Sequence, residues 1–146
     1  MSHLIRLLFC TALLGCAGAQ ELSMSTAQAA EQKPGDSQTV TLQVGQTVAL
    51  QPDLSIEFLE FKDSRCPTGA HCIWAGHVAV TLQLKRPGAA AETIVIGSLA
   101  PPDMHLPYQA KSGQWQFTLV SLEPHPTTKG EVPVASVRAS VLIEKN

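Results

Sequence analysis

At 146 residues with 45% apolar side chains, the chain has room for one folded domain with a core and short appendages. Ten Lys and Arg against twelve Asp and Glu leave a net charge of −2, scattered in both signs, and the absence of a basic stripe argues against nucleic acid as a partner. No Gly-rich phosphate loop, G-x-S-x-G or H-E-x-x-H occurs, so any catalysis must come from residues that only the fold brings together.

The first six residues carry Arg6 as their only charged side chain, and residues 7–14 are apolar apart from Thr11. Such a run is far short of the about twenty residues that span a bilayer, so it reads as an export signal and not as a membrane anchor. Two cleavage sites compete. Leu13-Leu14-Gly15-Cys16 resembles the bacterial lipobox, in which the cysteine is lipidated and becomes the new N-terminus. Ala17-Gly18-Ala19 is a small-x-small site that would instead release a soluble periplasmic or secreted protein beginning at Gln20. The Gly-Cys junction directly after Leu-Leu favours the first: a signal peptide over 1–15, then a lipidated Cys16 held in the membrane by its acyl chains. Ala17 in place of Asp after that cysteine implies an outer-membrane address facing the periplasm. Residues 20–36 are rich in Ser, Ala, Gln and Glu and contain Lys33-Pro34-Gly35. Their few apolar side chains cannot offset the entropy of ordering, so 16–36 reads as lipidated terminus plus flexible tether.

Residues 37–146 read as the folded domain. Residues 39–44 alternate polar and apolar side chains, Gly45-Gln46 turns and residues 47–50 resume, the pattern of a hairpin. Leu54, Ile56 and Phe58 point one way from the next strand and Leu59 and Phe61 the other, unless a bulge near Phe58-Leu59 turns both sets inward. Val78, Val80, Leu82 and Leu84 form the cleanest period-two face, with Thr81, Gln83 and Lys85 opposite. Pro87-Gly88 ends that strand, residues 93–96 form a short β-branched one and Pro101-Pro102-Asp103 breaks the chain. Trp115, Phe117, Leu119 and Ser121 alternate with Gln116, Thr118 and Val120, and a last strand is expected from about Val134 to Ile143. With no helical periodicity, the fold class is all-β: an antiparallel β-sandwich of seven to eight strands, with a small barrel as the alternative.

The unusual chemistry lies between the third and fourth of these runs. Cys66 and Cys72 enclose Pro67 and Gly69, and a chain turning at Pro and Gly can bring two such sulfurs into bonding distance. In an exported protein a structural disulfide is the leading reading, ahead of a redox pair or metal thiolates. Cys10 leaves with the signal, and acylated Cys16 leaves these two as an even pair. A tryptophan beside a disulfide usually packs over it, so Trp74 reads first as sealing the loop onto the sandwich, with exposure as a binding platform as the alternative. Asp63 can accept backbone N–H groups at the start of the loop, and Arg65 can donate to carbonyls or to that carboxylate.

Asp63-Ser64-Arg65-Cys66-Pro67 followed by Cys72-x-Trp74-Ala75-Gly76 resembles the DSRCP…C-x-WAG segment of a family of small uncharacterised bacterial exported proteins and lipoproteins. The similarity extends more weakly to Gly45-Gln46 and to Leu122, Pro124 and Pro126, so it covers most of residues 38–143. It marks a family and implies no activity.

The function expected from these features is a non-enzymatic envelope module, fixed to the membrane by its N-terminal lipid. It would present Asp63, Arg65 and Trp74 on the stapled loop to a protein or glycan partner, without a cofactor. Two alternatives stand beside it. His71, His77, Met104 and His105 are side chains of the kind that hold copper in exported proteins. A rigid loop of this sort also suits an inhibitor of a secreted hydrolase. Acid–base catalysis would need Asp63, Glu57 or Glu60 to meet His71 or His77.

Overall fold

The computed structural model describes residues 37–146; the signal segment, Cys16 and the tether lie outside the described residues. Eight strands follow: β1 Ser37–Gln43, β2 Thr47–Gln51, β3 Leu54–Asp63, β4 Val78–Lys85, β5 Glu92–Gly97, β6 Gln109–Ser112, β7 Trp115–Glu123 and β8 Arg138–Lys145. They pair antiparallel throughout in two four-stranded sheets, β1-β8-β7-β6 and β2-β3-β4-β5. The fold is the expected all-β arrangement, because each strand's period-two face has an apolar face to meet. Val78, Val80, Leu82 and Leu84 from β4 are buried with Leu42, Phe117, Val141 and Ile143 of the other sheet. Each such side chain contributes roughly 1.5 to 3 kcal/mol of burial, most of it offset by chain entropy.

Of three register shifts, at Ala49/Gln51, Phe58/Glu60 and Leu119/Ser121, the last two clearly adjust which residues reach that core. Phe58 pairs with Leu82 and Glu60 with Thr81, leaving Leu59 as the extra residue. Phe61 thereby packs against the core, while Leu59 is displaced outward. The bulge is thus where the sequence places it, but it brings in only one of the two residues. Downstream of it, Glu60 and Lys62 lie on the outer face. A matching shift between Leu119 and Ser121 leaves Val120 outside and turns Leu122 in.

Residues 39–50 do not form a hairpin. Gln46 N–H donates to Gln43 O at 2.9 Å and closes a turn, yet Gly45 N–H donates to Phe58 O at 2.7 Å and Phe58 N–H to Gln46 O at 3.1 Å. The chain leaving the turn is therefore captured by β3, and β1 pairs with β8 from Ser37↔Glu144 to Gln43↔Arg138. Gly45-Gln46 is a corner between sheets. The last strand starts at Arg138 and not near 134, because Val134–Ser136 forms a single 3-10 turn after Pro133. A second such turn spans Pro102–Met104.

The strand register separates two ends of the sandwich. One end holds Ser37, Asn146 and the connections at 52–53, 86–91 and 113–114. The other gathers three long connections, residues 64–77, 98–108 and 124–137. Along one side the sheets are tied twice. Gly97 N–H donates to Tyr108 O at 3.0 Å near the long loops. At the opposite end Arg86 Nη2 donates to the buried Ser112 Oγ at 2.8 Å, and both Arg86 and Ser112 donate to the Glu92 carboxylate.

Candidate functional site

The stapled loop is an extension of the β3–β4 hairpin. Ser64 N–H donates to His77 O at 2.9 Å and Cys66 N–H to Ala75 O at 2.8 Å, continuing the ladder past Asp63 and Val78. Ser64 Oγ adds a second link, donating to His77 O at 2.9 Å and accepting from His77 N–H at 3.1 Å. The two segments approach so closely that only glycine fits at position 76. Beyond these rungs Cys66 and Cys72 are joined by a disulfide, with Cα atoms 5.9 Å apart. The tip also docks on the connection between β7 and β8. Thr68 N–H donates to Pro126 O at 2.9 Å, Thr128 N–H to Thr68 O at 3.3 Å, and His125 Nε2 to Cys66 O at 3.1 Å.

With so many other restraints, the bridge governs the loop more than the fold. In the chain-entropy account, closing about seven residues is worth roughly 2 kcal/mol. Cys66→Ser is accordingly expected to lower the urea-unfolding free energy by about 2 kcal/mol while leaving a folded sandwich. Circular dichroism of an unfolded chain would contradict this.

Asp63 and Arg65 do what the sequence suggests, and more. Arg65 Nη2 donates to Asp63 Oδ2 at 2.6 Å and Nε to Oδ1 at 2.9 Å, while Arg65 N–H donates to the same Oδ1 at 3.0 Å. Nη2 also reaches Pro124 O at 3.2 Å, so one guanidinium joins the base of the loop to the start of the connection that follows β7. Burial is the largest single influence on the Asp63 carboxyl and raises its pKa. The side-chain and backbone hydrogen bonds from Arg65, its charge and that of His125 together outweigh burial and hold the carboxyl below its ordinary value of 3.8. A carboxyl depressed in the folded state stabilises that state above its unfolded pKa, and the gain disappears as pH falls through the folded value. The contribution of Asp63 is thus constant from neutral pH down to the ordinary carboxylate range and is lost below it. Urea titrations of wild type and Asp63→Asn across acid pH should converge there.

Trp74 is 42% exposed and lines a groove of about 540 Å³ on the outer face of the β2-β3-β4-β5 sheet. The loop is also held by its ladder, the disulfide and the Thr68 contacts. The floor follows from cross-strand rows: Glu60–Thr81–Val95, then Lys62–Ala79–Gly97. The second row carries two minimal side chains in its middle and at its edge, and this makes the depression. Gly97 cannot be larger, because a β-carbon there would meet Pro107 O, Val78 O and the His77 ring. Leu106 and Pro107, from the connection between β5 and β6, also line the groove. Buried His77 donates from Nε2 to Pro107 O at 2.9 Å and so ties the end of the stapled loop to that connection. The volume falls within the range of small-ligand sites.

Of the residues considered for chemistry, Glu60 and His77 share this groove, whereas Glu57 pairs with Lys85 at 2.6 Å elsewhere on the sheet. His71 stands exposed in the loop tip, and Met104 and His105 lie exposed in the connection from β5 to β6. Among the described residues no group of three or more His, Cys, Asp or Glu is placed to hold a metal ion. Cys16 lies outside the described residues. The groove residues Lys62, Ala79, Leu106 and Pro107 were not singled out by the sequence. Outward parity on β4 locates Ala79, and the bulge at Leu59 is needed to turn Lys62 outward, but no local pattern tells which loop folds back over them.

Comparison with protein-family models, curated proteins and solved structures returns no match for this chain.

Proposed function

We propose that the protein is a non-enzymatic cell-envelope binding module, held at the outer membrane by an acylated Cys16, with the stapled loop and its groove as the binding surface. The observation that carries this reading is the half-exposed Trp74, an apolar side chain held at the groove by a disulfide-closed loop instead of being folded into the core. A photo-crosslinking residue placed at the exposed Ile73 in cells tests the proposal. Discrete adducts that vanish in Trp74→Ala and Cys66→Ser are expected, and adducts indifferent to both changes would reduce the loop to architecture. Mass spectrometry of the mature N-terminus tests the anchor, since a diacylglyceryl group on Cys16 has a distinct mass.

Ile73 also keeps the inhibitor reading in view. It projects fully into solvent between Cys72 and Trp74, the kind of side chain that can occupy a protease specificity pocket. Loss of inhibition of a secreted protease on Ile73→Ala would favour that alternative.

A further inference from the structure

Resting on the binding reading above, we propose that the groove takes a pyranose ring of a neutral glycan chain, stacked on Trp74.

The polar side chains of the floor argue for neutrality. Glu60 and Lys62 are successive outward residues of β3, about 7 Å apart along the strand. Glu60 accepts from Thr81 Oγ1 at 3.5 Å, and Lys62 makes no ion pair among the described residues. An anion attracted by Lys62 is repelled by Glu60, and a cation meets the reverse. A sugar hydroxyl both donates and accepts, so it can use the ammonium and the carboxylate together. The rest of the lining suits the C–H face of a sugar ring: the Trp74 indole, Ala79 on the floor and Leu106.

Two other occupants fit less well. A peptide added as a strand needs a run of unpaired main-chain groups, and three of those bordering the groove are taken: Ser64 N–H by His77 O, Gly97 N–H by Tyr108 O and Ser98 N–H by Val78 O, which leaves only the short outward edge of β5 before Gly97. An acyl chain would desolvate two charged side chains with nothing to offer them in return.

The test uses the full chain and observes the ligand, by saturation-transfer NMR, so that loss of a tryptophan does not remove the signal. Probes are cellotetraose and the N-acetylglucosamine tetramer as neutral glycans, an oligogalacturonate as the anionic counterpart, and phosphatidylcholine vesicles. Binding of at least one neutral tetramer with a Kd of about 1 mM is expected. It should weaken at least tenfold in Trp74→Ala, survive in Trp74→Phe, and weaken equally in Ala79→Phe, which fills the floor from the solvent side. Val120→Ala, on the other sheet, should bind as wild type does. The proposal is overturned if neither neutral tetramer binds, if binding ignores both groove variants, or if only the anionic oligomer or the vesicles bind. Crosslinks from Ile73 that persist without sugar binding would remove the glycan and leave the envelope module standing.

Discussion

Gly76→Ala is expected to destabilise the domain by at least about 3 kcal/mol and to abolish whatever the groove binds. Gly76 has φ +81°, and a β-carbon there would sit 2.6 Å from the Arg65 Cα and from the Ser64 carbonyl carbon. Both neighbours are backbone, so the clash cannot be relieved by a side chain changing rotamer. Relief requires the 64–66 and 75–77 segments to part, which breaks the Ser64–His77 and Cys66–Ala75 rungs and moves Trp74. Gly45→Ala serves as the control. It has nearly the same dihedral, φ +79°, but open space around it, so it should cost only the conformational strain of about 1 kcal/mol. Urea unfolding of the two variants separates steric overlap from strain. Equal losses would show that the two loop segments are not in contact as described.

Arg65→Ala is expected to cost about 2 kcal/mol at neutral pH, between the values for exposed and fully buried ion pairs. The change removes the guanidinium bonds to the Asp63 carboxylate and the one to Pro124 O, and it leaves a mostly buried carboxylate without its cation. Arg65→Lys should recover only part of the loss, because an ammonium cannot reproduce the two-pronged contact while also reaching Pro124. The gap between wild type and Arg65→Ala should narrow below the carboxylate range, where Asp63 is protonated. A gap independent of pH would mean that packing of the Arg65 stem, and not its charge, supplies the stability.

The strands that were legible in the sequence are those whose partners lie on one buried face. Val78 to Leu84 alternates without interruption because β4 is central, with β3 and β5 on either side and the other sheet beneath. Gln109–Ser112 offered nothing to read, since β6 is a short edge strand in which only Ser112 is buried. The apparent hairpin at Gly45-Gln46 misled for a different reason. Local turn chemistry is present there, but the partner of β1 lies about a hundred residues away, and no local pattern reports it. The candidate site divides in the same way. The Cys66–Cys72 bridge and the Asp63–Arg65 pair are contacts within a few residues, so spacing and side-chain chemistry suffice to anticipate them. The groove depends on Pro107 meeting His77 across thirty positions and on Ala79 lying beside Gly97 in neighbouring strands. Trp74 was expected to cover the disulfide because that is what isolated loops require. Here the neighbouring sheet's connection also supports the loop through Thr68 and Thr128, and part of the indole is exposed at the groove.

The ladder between β1 and β8 bears on how the protein is made. Its first strand cannot find its neighbour until the final residues have been synthesised and delivered, since Ser37 faces Glu144 and Gln43 faces Arg138. A nascent polypeptide can pair β2 to β5 but cannot complete the other sheet, so the apolar face of the first sheet stays uncovered. Shape is acquired only when the tail arrives.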